Sequence, residues 1–97
     1  MHSEADNDKL KILSHEMTYG TYGTLSITGV AENVAGKTLS YVQVDVKFYD
    51  EDGVLIGNSL DNANDLEAGE KWKFEAVYFD LDSYDVDSYK IGVGSVW

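Results

Sequence analysis

The stretch from Leu39 to Asp50 carries the strongest alternation of apolar and polar residues in the chain. Val42, Val44, Val46 and Phe48 fall on one parity, and Tyr41, Gln43, Asp45, Lys47 and Tyr49 on the other. Successive side chains of a strand point to opposite faces, so this pattern predicts a strand with one face buried. A helix would scatter those valines around its circumference. Trp72, Phe74, Ala76 and Tyr78 repeat the pattern against Lys71, Lys73 and Glu75, and Tyr89, Ile91 and Val93 repeat it against Lys90, Gly92 and Gly94. Glycine and Asn/Asp clusters divide the remainder, which predicts strands over 9–18, 24–33, 39–50, 54–60, 71–80 and 86–96. The short Asp50-Glu51-Asp52-Gly53 connection offers a glycine where a positive φ is needed, so strands 39–50 and 54–60 should form a hairpin. Residues 61–68 have room for one helical turn and no more.

Short strands separated by turns predict an all-β fold, an antiparallel β-sandwich of six to seven strands in two packed sheets. Residues 1–8 read as a disordered acidic linker and residues 9–97 as the single domain. Phe48, Trp72 and Tyr89 are the candidates for the bulky centre of the core. The chain has no proline, so its edge strands must be guarded by charge, a role open to Asp45, Lys47 and Glu75.

Charge narrows the partners. The 97 residues hold 18 acids against 7 cations, a net charge of −11, and every cation is a lysine. A nucleic-acid partner is excluded, because phosphate binding needs a basic surface. An anionic membrane face would repel the chain, and no run approaches the roughly twenty apolar residues of a membrane helix. The same repulsion favours a monomer. Without cysteine there are neither disulfides nor thiolate metal sites. The polar start, Ser3-Glu4-Ala5-Asp6, suggests a signal or anchor trimmed away ahead of it, and hence an extracellular or surface-anchored location.

Val46-Lys47-Phe48-Tyr49-Asp50 resembles the motif that names the FxLYD domain family, with valine at its first position. Gly29-Val30-Ala31-Glu32-Asn33 is similar to that family's Gly-x-Val-x-Asn strand end. Leu66-Glu67-Ala68-Gly69-Glu70 is similar to its turn before an aromatic strand, and Ser88-Tyr89-Lys90-Ile91 to its final strand. The resemblance spans residues 9–95. It implies an immunoglobulin-like sandwich on the outside of a prokaryotic cell, often behind a lipid anchor or signal, with no catalytic residues to carry over. Its motif residues imply fold roles: Phe48 in the core, Tyr49 on the other face, and Asp50 opening the turn.

Catalytic equipment is sparse. His2 and His15 are the two imidazoles, and neither stands in a recognisable triad context. There is no glycine-rich phosphate loop and no arginine to clamp an anion, so no enzyme is expected. His15 reads as an edge-strand surface residue. Calcium is the one candidate cofactor, since hard cations take about six to eight oxygens from Asp- and Asn-rich loops. Asp80, Asp82, Asp85 and Asp87 form one candidate metal set, and Asp61, Asn62, Asn64 and Asp65 a second. The competing reading leaves the first set solvated while Leu81, Tyr84, Val86 and Tyr89 tuck inward. Twelve aromatics suggest sugar stacking, with Tyr41 and Tyr49 on the non-core face of strand 39–50 as the candidate ligand surface and Tyr19 and Tyr22 at a glycine-rich corner. Tyr84 or Tyr89 could instead bond the backbone at a sandwich corner. The expected function is a non-catalytic extracellular interaction or spacer module with a protein or cell-surface polymer as partner. A calcium-stabilised domain and a carbohydrate-binding module are the alternatives.

Overall fold

A computed structural model describes residues 8–20, 24–78 and 83–97. Its six strands are β1 (Leu10–Tyr19), β2 (Leu25–Asn33), β3 (Leu39–Tyr49), β4 (Leu55–Leu66), β5 (Lys71–Tyr78) and β6 (Ser88–Val93), with a 3-10 turn at Ser83–Asp85. They form two three-stranded antiparallel sheets, ordered β1-β2-β5 and β4-β3-β6, and the fold is an all-β sandwich. Among the described residues no helix is long and apolar enough to cross a membrane.

The alternation of β3 does what its pattern predicts. Val42, Val44, Val46 and Phe48 are wholly buried, facing Leu25, Ile27, Phe74 and Ala76 of the other sheet in one core cluster. The aromatic centre differs from expectation. Trp72 and Tyr89 pack at its margin, and the rings that fill it are Phe48, Phe74 and Tyr78. Phe48 and Tyr78 meet edge to face at 4.8 Å. Gly57 makes room for this pair, because a Cβ there would lie 2.6 Å from the Tyr78 ring.

The hairpin between β3 and β4 turns as expected. Gly53 has φ of 78°, and the Asp50 carboxylate accepts from the amides of Asp52 and Val54 at 2.9 Å each. Beyond the turn the structure departs from the sequence reading. The 61–66 stretch is the second half of β4 and not a helical turn. Its inward positions, paired with the buried residues of β3, are Gly57, Ser59, Asp61 and Ala63. Gly57 and Ala63 lie against the core, whereas Ser59 and Asp61 are polar because they meet the open edge of β5. Ser59 Oγ donates to the Val77 carbonyl at 2.7 Å, and Asp61 Oδ2 accepts the Glu75 amide at 2.8 Å. Unpaired backbone groups on an edge invite association, and here side chains of the facing sheet take them up. Asp45 and Lys47 do not guard an edge, since β3 is the central strand of its sheet. On the opposite side β1 meets β6 through a bond between His15 Nδ1 and the Tyr89 hydroxyl at 2.6 Å.

Asn33 ties two turns together. It is buried, and its Nδ2 donates to the carbonyls of Lys37 and Leu66 at 2.8 Å each. Its Oδ1 accepts the Ala35 amide at 2.8 Å. Its backbone exchanges bonds with Gly69 and Glu70 across the β4–β5 turn. Replacing Asn33 by alanine would orphan buried groups in both turns, at a cost of about 2–3 kcal/mol. The melting temperature should fall by about 10–20 °C in a calorimetric scan. The Ser59→Ala/Asp61→Ala double variant frees the edge of β5 instead. It should stay folded by circular dichroism at low concentration yet self-associate in light scattering as concentration rises.

Candidate functional site

Because the even residues of β3 from Val42 onward fill the core, the odd residues beside them make one continuous outer row: Tyr41, Gln43, Asp45, Lys47 and Tyr49. The strand rises ~3.3 Å per residue, so Tyr41 and Tyr49 stand about 26 Å apart along it. Hydrogen bonds order the row. The Tyr41 hydroxyl donates to Gln43 Oε1 at 2.6 Å, and Gln43 Nε2 donates to Asp45 Oδ1 at 2.7 Å. Asn62 Nδ2 on β4 donates to the Tyr41 hydroxyl at 3.3 Å. At the far end Lys90 Nζ sits 5.5 Å from the centre of the Tyr49 ring.

Glycines keep the β6 side of this row low. Gly92 is the cross-strand partner of Asp45, and a Cβ on Gly94 would fall 2.5 Å from Asp45 Oδ2 and 2.6 Å from Gln43 Nε2. The result is a shallow hollow of about 230 Å³ running beside Asp45, Lys47, Tyr49 and Lys90 over Gly92. Past Gly94 the register slips. Val44 pairs with Val93, yet Tyr41 exchanges both backbone bonds with Trp97, one residue further than regular pairing would place it. This bulge reverses the alternation, so Val96 packs against the core while Trp97 turns outward. Trp97 is 62% exposed and stacks on Tyr41, with ring centres 4.6 Å apart and planes 22° from parallel.

The structure therefore brings Tyr41 and Tyr49 onto one face, as their spacing predicted, and adds Trp97. Continuing the two-residue period of Tyr89, Ile91 and Val93 would have sent Trp97 inward, and Gly94, a glycine inside a strand pattern, is the local signal that marks the bulge. Tyr19 is exposed, and its neighbour Tyr22 lies outside the described residues.

The candidate metal residues fare differently. Asp80 and Asp82 lie outside the described residues, as does Leu81. Asp85 and Asp87 line a second open hollow, facing Asp50, Glu51 and Asp52 of the β3–β4 turn. Among the described residues no three His, Asp, Glu or Cys side chains are grouped to hold a metal ion. The second candidate set is dispersed by its strand: Asp61 turns inward to bond β5, while Asn62 and Asn64 share the outer face with their partners Gln43 and Tyr41. Val86 is buried as expected, whereas Tyr84 is 77% exposed. Neither Tyr84 nor Tyr89 takes the backbone-bonding role. It falls to Tyr78, whose hydroxyl reaches the Ile56 carbonyl at 3.5 Å.

His15 is exposed on the edge strand β1, as expected, with its ring edge-on to Tyr89 at 5.5 Å. Burial, and secondarily the negative charge of Glu16, push the Tyr89 phenol above its usual pKa. The phenol thus stays protonated at neutral pH, and the pair reads as an edge closure.

Over 96 residues the chain is 35% identical to the uncharacterized protein MJ0360 of the archaeon Methanocaldococcus jannaschii, a match that covers 98% of this chain and 71% of that protein. The chain belongs to the MJ0360 family. No family model matches it, and no solved structure does. For this member of the MJ0360 family, the outer row of β3 with its Trp97 extension is a hydrogen-bonded and stacked surface facing solvent.

Gly94→Ala tests that organisation directly. The added methyl should part Gln43 from Asp45 and cost about 1 kcal/mol, leaving the core intact. The Gln43 side-chain amide resonances should move, while the methyl resonances of Val42, Val44 and Val46 stay in place.

Proposed function

We propose that this chain is a non-catalytic binding module that presents the outer face of its β4-β3-β6 sheet to an extended, hydroxyl-rich polymer, a glycan chain at the cell surface. One observation carries the reading. Along β3 and β6 an exposed indole stacked on Tyr41, an ordered run of Gln43 and Asp45, and a second ring at Tyr49 follow one another beside a glycine-floored hollow. Pyranose rings offer an apolar face to aromatic side chains and equatorial hydroxyls to amides and carboxylates. A row that supplies both in sequence suits them better than a uniformly apolar protein interface would.

The lack of a recognisable triad or phosphate-loop motif in the sequence supports a module without catalysis, as does the bonding of His15 to Tyr89. The strand order β1-β2-β5 against β4-β3-β6 supports the immunoglobulin-like reading suggested by the FxLYD resemblance. A surface location is part of this reading and rests on that resemblance.

Affinity electrophoresis through gels containing cell-wall or capsular polysaccharides provides the test, followed by titration calorimetry on those that retard the protein. Trp97→Ala and Tyr49→Ala should each weaken binding about tenfold, the equivalent of ~1.4 kcal/mol, with unchanged melting temperature. Binding that survives both substitutions would place the ligand elsewhere and end this reading.

A further inference from the structure

We infer that the hollow between Lys47 and Lys90 is an anion subsite holding the carboxylate of an acidic sugar residue. This inference rests on the polymer-binding reading of the same face and narrows its ligand to a uronic-acid-containing glycan.

Lys47 and Lys90 are direct cross-strand partners on the outer face of the sheet. Like charges placed opposite one another destabilise a sheet. In a chain with 18 acids and 7 cations, a chance pairing would far more readily set a lysine against a carboxylate. Neither ammonium group is engaged by a carboxylate among the described residues, and Lys90 rests over the Tyr49 ring. Asp45 shares the face but is turned toward Gln43, which donates to its Oδ1. One step along the strands Gly92 faces Asp45, and the hollow that it leaves open is lined by both lysines and Tyr49. Two lysines paired across neighbouring strands beside an aromatic ring provide charge and hydrogen-bond donors for a carboxylate, and an apolar face for the sugar that carries it.

The surroundings set the ligand's polarity and direction. Just past Tyr49 the chain enters Asp50, Glu51 and Asp52, which face Asp85 and Asp87 across the second hollow. Asp50 stands three residues past Lys47, about 10 Å along the strand, which is of the order of the ~8 Å screening length in physiological salt. These carboxylates disfavour further acidic groups on that side and turn the rest of the ligand the other way. The acidic residue then sits at Lys47 and Lys90, and its neighbours run over Asp45 and Gln43 toward the Tyr41–Trp97 stack.

The test uses polygalacturonate, alginate and hyaluronan, each beside its carboxyl-reduced neutral form, with poly-L-glutamate as an acidic polypeptide control. The inference expects at least one of the acidic polymers to bind at least tenfold tighter than its reduced form. Lys47→Gln and Lys90→Gln should each remove that preference, and raised salt should weaken it. Both variants should melt at the same temperature as the parent or higher, since each relieves a repulsion, so a loss of binding would not reflect unfolding. Equal binding of acidic and reduced forms, still sensitive to Trp97→Ala, would overturn the subsite and leave the polymer face standing. Equal binding of poly-L-glutamate would overturn it in favour of an acidic polypeptide partner. Failure of every polymer, acidic or reduced, would overturn the subsite and the glycan reading together.

Discussion

The register of β3 is the constraint on which core and surface both depend. It is the central strand of its sheet, paired on one side with β4 and on the other with β6. From Val42 to Phe48 its even residues are the buried wall of the sandwich, and from Tyr41 to Tyr49 its odd residues are the candidate binding row. A slip of one residue would exchange them, exposing three valines and a phenylalanine while burying Gln43, Asp45 and Lys47. Fully burying such apolar side chains contributes about 1.5–3 kcal/mol each, far more than any single contact on the outer face. The surface row is thus held in place by the core, and it can vary in chemistry without unfolding the domain.

Two three-stranded sheets leave four edges, and the molecule closes them with side chains. Ser59 and Asp61 take up backbone groups of β5, and His15 and Tyr89 bridge β1 to β6. A polar residue on the inner side of a strand is unfavourable against a core but suitable against an open edge, where a donor or acceptor waits. Among the described residues no buried side-chain nitrogen or oxygen lacks a partner. Asn33 performs the same service for two turns, linking the start of β3 to the β4–β5 connection.

What could be read from the sequence follows from where each strand lies. β3, β5 and β6 face an apolar core, so their two-residue period is visible, and Gly53 marks its turn because few other residues adopt that φ. The second half of β4 was hidden because Ser59 and Asp61 answer to the edge of β5, which leaves a polar stretch that resembles a loop. Strand order is not written in a local pattern, so Asp45 and Lys47 looked like edge guards when they sit at the centre of a sheet. Tyr41 and Tyr49 were legible as outward residues by parity. Trp97 was not, because one extra residue before it reverses the parity that Tyr89, Ile91 and Val93 establish. The aspartates near the last strand could be counted but not placed, and Asp61 shows how far a carboxylate's role depends on its facing strand.

The central claim is that ligand contact is confined to the outer face of β4-β3-β6. Amide chemical-shift mapping of the labelled protein, titrated with short uronic-acid oligosaccharides, tests it most directly. The account predicts perturbations along Tyr41–Tyr49, Lys90–Gly94 and Trp97, including the Trp97 indole, with the amides of β1 and β5 unmoved. Shifts centred on the outer face of β1-β2-β5, or on the acidic hollow at Asp50–Asp52 and Asp85–Asp87, would contradict it.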